Sequence, residues 1–471
     1  MTVVTVPGSG TPGNQPAITL NASAGASSEL AQQIGALLAT LQGGINVTTT
    51  AGAVNAPPTT PAGATQVLQL ISSADITVPN GYAYVYDTGS ADTTVNGSNV
   101  AVLTGDGGVF TLSNSTVAGT TGNNTVAGSA GYLIQTGDGN SVVFANGTGT
   151  VGTGPGNNIV VSNPTAGGNV IDSLGTDLIV AASGSTTINS GGDGSGILGG
   201  SSGSITASVT ANADTISSAG TDLNATIGGN NAVVFGGSGT TTLDLTGSNA
   251  SISAGSGAET VDASGGSAGG GSNVWGGTGL LSFVGGAGFA TVVGGSGGTA
   301  VTVGAGGLVF GSGTNDTATI TAGSGSGGST IFGGSGSDVN FNTSSLNAGA
   351  AQFNAGAGNE TLNAGGSTTN NDFFVGSGSE TITGGSGNNW FDFNATATGG
   401  ASDIVTDYHA GDNLALIGYD TTQSAASVLD NATVSGAGVT LALSDNTQIT
   451  FTDLTSTDLL KASTLYGPNP G

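Results

Sequence analysis

Acidic side chains are the residues of this chain best suited to chemistry, and they would serve as ligands for a cation. The 471-residue sequence has 28 acids against one base, Lys461, which gives a net charge of −27. Eleven of the 28 acids lie from Asp372 onward. Calcium prefers oxygen ligands such as carboxylates, so we expect calcium as the cofactor, at few sites. The candidate ligands are Asp338, Glu360, Glu380, Asp372, Asp392, Asp403, Asp407 and Asp412.

Catalysis and phosphate binding have little support in the residue types. The chain holds one histidine, His409, in a predicted turn, and it has no zinc-protease, P-loop or nucleophile-elbow motif. Paired carboxylates can hydrolyse glycosides, but we expect such a groove to carry Arg or Lys as well. We therefore predict that the protein is not an enzyme. The charge argues against nucleic acid and anionic lipid as partners, because binding to phosphate requires Lys and Arg.

A nine-residue repeat predicts the elements that must position the acids. Three units stand end to end, GGTGLLSFV (276–284), GGAGFATVV (285–293) and GGSGGTAVT (294–302). Each unit opens with a glycine turn and closes with a short run of strand-forming residues. A period of nine is typical of a chain that winds into a parallel β-coil. Each coil buries its inner side chains only by stacking on the next coil.

Variants of this unit recur between residues 93 and 393, which predicts a β-solenoid over that range. Charged residues are too scarce and β-branched residues too frequent for bulk disorder. Turns of roughly 18–20 residues would give about 15 rungs, stacked about 4.8 Å apart. We expect the glycines to serve turns that need a positive φ and no Cβ. The bulky residues predicted to fill the core are Phe332, Phe341, Phe374, Trp275 and Trp390.

The first 92 residues have a different composition. Residues 1–64 are predicted to form an arm with an amphipathic helix over 27–42 and a Pro-rich linker over 55–63. The helix would act as a lid on the coil or as a docking helix for another subunit. Residues 65–92 are predicted to be a small β segment or the first rungs. No apolar stretch is long enough to span a membrane, and the sequence has no recognisable signal peptide. We therefore expect a cytosolic protein or export by another signal.

The glycine-rich units resemble the repeats-in-toxin family, or hemolysin-type calcium-binding repeats, whose pattern is GGxGxDxUx with U large and apolar. In that family two successive units form one coil of a β-roll, and the Asp at position six holds calcium together with turn carbonyls. The match here is good in glycine and poor in aspartate, because position six is Leu281 or Ala290 in some units. We therefore expect metal-free central coils, with calcium confined to residues 333–412.

The C-terminal block over 394–471 carries the more specific resemblance. Residues 390–420 and 439–465 look like the β cap and secretion region that ends many members of the family, with Asp403, Asp407 and Asp412 at its acidic positions. Such members leave the cell through a type I secretion channel with an uncleaved C-terminal signal. The resemblance implies an extracellular or cell-surface protein and the type I secretion apparatus as a partner. The absence of cysteine agrees with it.

Together these observations predict an all-β protein, a parallel β-solenoid or β-roll rod with a short N-terminal helix and a C-terminal β cap. The preferred function is a secreted structural protein that self-assembles as a homo-oligomer or filament into a surface layer, sheath or extracellular matrix fibre. The alternative is a monomeric cell-surface adhesin, with a cell-surface glycan left open as its partner. An ice-binding face would need threonines in register, and the sequence shows no recurrence of threonine at one spacing.

Overall fold

The computed structural model describes residues 45–58, 65–70, 75–87, 93–104, 108–119, 122–164, 167–266, 270–336, 338–343, 348–420 and 422–467. These residues form an all-β parallel solenoid, which confirms the predicted fold class. The helix predicted over 27–42 lies outside the described residues. The chain divides into two compact units, Met1–Ala232 and Val233–Gly471.

In the first unit, successive strands alternate between two parallel sheets, here called the first sheet and the second sheet. The first sheet holds β1 (Ile45–Thr50), β2 (Thr65–Leu70), β4 (Tyr84–Asp87), β6 (Ala101–Thr104), β8 (Thr116–Gly119), β10 (Tyr132–Gln135), β12 (Gly149–Gly152), β14 (Gly168–Ser173), β16 (Ser185–Ser190), β18 (Ser204–Val209) and β20 (Asp222–Ile227). The second sheet holds β3 (Asp75–Thr77), β5 (Thr93–Ser98), β7 (Gly108–Ser113), β9 (Asn124–Gly128), β11 (Val142–Ala145), β13 (Ile159–Ser162), β15 (Leu178–Ala181), β17 (Gly196–Gly199) and β19 (Thr215–Ser217).

The second unit continues the same alternation of strands. Its first-sheet strands are β22 (Thr241–Leu245), β24 (Glu259–Asp262), β26 (Leu281–Val284), β28 (Thr299–Val303), β30 (Thr317–Ala322), β32 (Asp338–Thr343), β34 (Thr361–Asn363), β36 (Thr381–Thr383), β38 (Ser402–Val405), β40 (Thr433–Ser435), β41 (Gly438–Ala442) and β42 (Gln448–Phe451). Its second-sheet strands are β21 (Val233–Phe235), β23 (Ser251–Ser253), β25 (Asn273–Trp275), β27 (Ala290–Val293), β29 (Leu308–Gly311), β31 (Ser329–Phe332), β33 (Ala351–Asn354), β35 (Asp372–Phe374), β37 (Trp390–Asn394), β39 (Asn413–Ile417) and β43 (Thr464–Gly467).

The C-terminal part of the second unit departs from the regular winding. Strands β40, β41 and β42 pair in antiparallel order, while β42 and β43 also extend the parallel ladder by pairing with β38 and β39. Three short helices lie here, α1 (Ala395–Thr398), α2 (Ala425–Asp430) and α3 (Asp458–Ser463). No helix in the described ranges is long and apolar enough to span a membrane.

The parallel ladder extends beyond the predicted solenoid range of 93–393 in both directions. Before residue 93, β1 pairs with β2 and β2 with β4, all in parallel. After residue 393, β39 pairs in parallel with β37. Residues 45–50, which directly follow Gly43-Gly44 in the sequence, therefore belong to the ladder.

Each unit contains columns of apolar side chains, one side chain from each turn. In the second sheet of the first unit the column contains Ile76, Val95, Phe110, Val126, Val143, Val160, Ile179, Ile197 and Ile216. All of these side chains are buried. Burying each one contributes about 1.5–3 kcal/mol relative to leaving it exposed, so the stacking of turns supplies the core.

In the second unit the corresponding column becomes aromatic toward the C-terminal end. The rings of Phe353 and Phe373 stack with centroids 5.0 Å apart, and those of Phe373 and Phe391 with centroids 5.1 Å apart. The near-constant separation follows the strand spacing of about 4.8 Å. Identical residues at one level of successive turns therefore continue the core as a ring stack.

Three of the five aromatic residues predicted for the core lie on the outer surface instead. Trp275, Phe332 and Phe374 are 45%, 45% and 37% exposed, whereas Phe341 is buried as predicted and Trp390 is half-buried. The reason is strand alternation, because only one of two adjacent strand residues can face inward. Each of the three exposed aromatics directly follows a buried apolar residue.

Glycine is required in many turns because successive turns approach one another closely. A Cβ on Gly279 would overlap the carbonyl oxygen of Gly257, and a Cβ on Gly257 would overlap that of Gly239. Gly257 and Gly279 do not have positive φ, whereas Gly298 does, at 92°. The expectation that turn glycines serve positive φ is therefore wrong at these two positions, where the missing Cβ alone is decisive.

We predict that Gly279→Ala lowers stability by about 1–3 kcal/mol, because the added Cβ forces two turns apart. Gly311→Ala is the matched control, since a Cβ there has no atom within 4 Å. Thermal melts followed by circular dichroism provide the measurement. Equal melting temperatures for the two variants would contradict the proposed reason for glycine in the turns.

Candidate functional site

Three of the eight predicted calcium ligands lie on the outer side of their strands. Asp338 and Asp372 are exposed at the starts of β32 and β35, and Asp392 is partly exposed in β37. Asp338 belongs to the first sheet and the other two belong to the second sheet. The carboxylate of Asp338 accepts the backbone N–H of Asn359 at 3.3 Å. The fold therefore separates Asp338 from Asp372 and Asp392.

Two further predicted ligands hold the turn that contains the single histidine. The carboxylate of Asp407 accepts the backbone N–H of Gly385 at 2.9 Å. That of Asp412 accepts the backbone N–H groups of Asn389 at 2.8 Å and of His409 at 2.9 Å. The Nε2 atom of His409 lies 2.9 Å from the carbonyl oxygen of Gly385. These side chains thus satisfy backbone groups where the chain leaves the ladder.

The remaining three predicted ligands form a stack of buried carboxyl groups. Glu360 and Glu380 directly precede β34 and β36, at the level that Asp403 occupies in β38, and each of the three is at most 2% exposed. Asp403 accepts the backbone N–H of Glu380 at 3.0 Å, and Glu360 accepts that of Gly356 at 3.3 Å. Among the described residues, neither side-chain oxygen of Glu380 has a hydrogen-bond partner within normal geometry, and the carboxyl groups of Asp403 and Glu360 on the neighbouring turns are the groups that act on it. This set is called the carboxyl stack below.

Burial and the mutual proximity of the carboxyl groups favour the protonated form in the carboxyl stack. Two carboxylates can share a hydrogen bond only if one of them keeps its proton. Burial raises the pKa of all three groups, and the adjacent carboxyls of Asp403 and Glu360 raise the pKa of Glu380 further. Hydrogen bonding to Glu380 partly offsets the rise at its two neighbours. We infer that Glu380 is the principal proton carrier.

In the second sheet, the equivalent position carries polar side chains that accept backbone N–H groups of the preceding turn. Asp177 accepts the backbone N–H of Asn158 at 2.8 Å, and Asp214 accepts that of Ser195 at 2.8 Å. Each bond runs from one turn to the next and replaces a ladder bond where the strands end. The column comprises Asn124, Ser141, Asn158, Asp177, Ser195 and Asp214 in the first unit and Asn371, Asn389 and Asp412 in the second.

Besides Asp87, four buried acids are absent from the predicted ligands. They are Asp177, Asp214, Glu259 and Asp316. Each stands two residues before a buried apolar residue, such as Ile179 in the case of Asp177. Because alternate strand residues face the same side, this spacing directs both side chains inward. The same spacing separates D from U in the pattern GGxGxDxUx. An acid two residues before an apolar strand residue is therefore the sequence signal that could have identified these buried acids.

Among the residues that the structure describes, no three His, Cys, Asp or Glu side chains are arranged so that they could hold a metal ion. The carboxyl stack lies along the ladder, one group per turn, rather than around a common point. Calcium at residues 333–412 stays a prediction.

Threonines and similar polar residues align in register on the outer face of the first sheet. In the second unit, one row contains Ser282, Ala300, Thr319, Asn340, Thr361 and Thr381, and its neighbour contains Val284, Thr302, Thr321, Asn342, Asn363 and Thr383. Threonine does not recur at one spacing along the sequence, yet threonine, serine and asparagine share these two rows. Turn length varies, from 18 residues (282 to 300) to 21 (319 to 340), and this variation hides the alignment in the sequence.

Comparisons with known proteins find no match: no family model fits the chain, and neither curated proteins nor solved structures show a similar protein. The argument about function therefore depends on the residues and geometry described above.

We predict that wild-type stability decreases as the pH rises above the ordinary glutamate pKa of 4.5. A group whose pKa is raised on folding stabilises the fold below its unfolded pKa, and this contribution is lost as the pH passes the folded value. Glu380→Gln supplies N–H donors at every pH and should flatten the dependence. The control variant Asp372→Asn, at an exposed acid, should leave the pH dependence as steep as in the wild type. The measurement is the melting temperature as a function of pH from 4 to 9. Equal slopes of melting temperature against pH for the wild type and Glu380→Gln would refute proton sharing in the stack.

Glu259 makes the stability of the fold depend on pH in a second, separate range. Its pKa is raised to about 7 by burial, against an ordinary value of 4.5. Stability from this group should be lost between about pH 4.5 and 7. Glu259→Gln should remove that part of the slope and leave the part above pH 7 unchanged. A variant that melts like the wild type throughout would contradict this assignment.

Proposed function

We propose that this chain is a non-catalytic structural protein of the cell exterior, whose copies assemble into a surface layer, sheath or matrix fibre. One observation carries the proposal: the polar side chains with potential chemistry serve the turn-to-turn stacking. Asp177, Asp214 and Asp412 bind backbone amides of the preceding turn, and His409 binds backbone carbonyls. A fold whose acids and histidine maintain its own repeat is suited to a scaffold.

The proposed export route depends on the resemblance of the C-terminal block to repeats-in-toxin proteins. Asp403, Asp407 and Asp412 match that block, and the absence of cysteine suits export without disulfide formation. We propose a type I secretion apparatus as the export partner and the cell surface or extracellular space as the destination. Calcium would bridge acidic surfaces between copies, since a net charge of −27 otherwise opposes close association.

The first test is imaging of the purified full-length chain with and without millimolar calcium. We expect ordered sheets or fibres at high protein concentration, with calcium increasing their amount because it reduces repulsion between acidic copies. Negative-stain microscopy and sedimentation provide the measurements, and magnesium at equal ionic strength is the control. Dispersed single molecules under all of these conditions would refute assembly and favour the monomeric adhesin.

A second candidate function is supported by the aligned polar rows of the first sheet. Hydroxyl and amide groups recur there at the ladder spacing of about 4.8 Å, and Asn363 donates to Asn342 along one row at 3.1 Å. A regular polar array of this kind could order water and adsorb to ice. The test is an ice-recrystallisation assay, in which Thr319→Lys should abolish any inhibition. Crystal growth at the buffer rate with the wild type would remove this candidate.

A further inference from the structure

The outer face of the second sheet carries an exposed apolar row in the second unit. Strand register places eight residues in line, one from each successive strand from β21 to β35. This outer aromatic row is Phe235, Ser253, Trp275, Val293, Gly311, Phe332, Asn354 and Phe374. Its four aromatic side chains are between 37% and 47% exposed. Large rings therefore project outward from the outer surface of the sheet at fixed levels.

Large and small residues alternate along the row in such an order that it is complementary to the same row of a second copy running in the opposite direction. When a second copy is rotated by half a turn about an axis along the strand direction at Val293, rings of one copy meet small residues of the other. The paired levels are Phe235 with Asn354, Ser253 with Phe332, Trp275 with Gly311, and Val293 with itself. Because a twofold interface uses the same patch on both copies, such self-complementarity is what a homodimer requires.

The charge distribution favours a second copy as the occupant. The seven strands at the paired levels, β21 to β33 in the second sheet, contain no charged residue. The next strand, β35, begins with Asp372. In a chain with a net charge of −27, two copies can approach closely only through an acid-free surface, since like charges across an interface are costly.

The area of this face sets the expected strength of association between two copies. Seven levels at about 4.8 Å and three residues at about 3.3 Å each give a patch of roughly 300 Å² per copy. A standard interface buries about 800 Å² per partner. Association through this face is therefore weak for an isolated pair, and it becomes effective where copies are concentrated or joined by other contacts.

We propose that the outer aromatic row is a self-association surface that pairs two copies of this chain about a twofold axis at Val293. This inference deepens the proposed function, because it names one lateral contact of the assembly. The partner is an identical face, with rings of one copy seated over Ser253, Gly311 and Asn354 of the other.

The chain has no cysteine, so a single introduced thiol reports the geometry directly. Val293→Cys should be joined into a covalent dimer by a short bismaleimide cross-linker, since the two Val293 residues would face each other across the axis at about the 10 Å spacing of packed sheets. Thr319→Cys, on the exposed outer face of the first sheet, is the control and should react at least tenfold more slowly. Equal rates of dimer formation would overturn the proposed axis.

Sedimentation equilibrium of the full chain over about 10–500 μM protein tests the surface itself. Phe332→Asp should abolish the concentration-dependent rise in mass. Phe289→Asp, at an equally exposed phenylalanine outside the row (50% exposed), should leave it unchanged. Circular dichroism melts confirm that both variants fold.

The two proposals fail in different ways. Assemblies of Phe332→Asp that match those of the wild type would refute this surface and leave the structural function standing. A wild-type chain that stays monomeric throughout the concentration range would also refute this surface, whereas the structural function is refuted only by dispersed molecules in the calcium imaging test.

Discussion

Close stacking of one backbone turn on the next is the constraint on which the rest of this structure depends. Parallel ladders hold successive strands at about 4.8 Å, and the turns between them must keep the same spacing. At Gly257 and Gly279 this leaves no room for a Cβ against the carbonyl of the preceding turn. The abundance of glycine is thus a requirement of stacking, and the same stacking aligns side chains of successive turns into columns.

Column formation also decides what polar groups do in this protein. Where strands end, backbone N–H groups lose their ladder partners, and burying them unpaired would be costly. Side chains such as Asp177 and Asn389 accept these bonds from the neighbouring turn. Acidic residues at successive turns meet a different condition: Glu360, Glu380 and Asp403 face one another and can be accommodated only by retaining protons. A polar side chain at this repeated position therefore either accepts a backbone N–H of the neighbouring turn or makes a pH-sensitive contact with another carboxyl group.

The outer faces follow from the same columns but have different character. The first sheet of the second unit presents rows of Thr, Ser and Asn, whereas the second sheet presents aromatic rings between small residues. Since an inward position can take only one of two adjacent apolar residues, the second one, as at Trp275 and Phe332, is left outside. We interpret this outward placement as the basis of the association between copies that we propose, which suits the proposed scaffold role.

The sequence by itself determined the fold class, because a glycine turn followed by alternating strand residues can bury its apolar side only by winding into stacked coils. It also located acids such as Glu380 at a repeated position. The tertiary structure decided which adjacent aromatic faces inward, which acids meet, and which polar rows align. Turn lengths vary from one coil to the next, so register across strands, and not spacing along the chain, brings these side chains together.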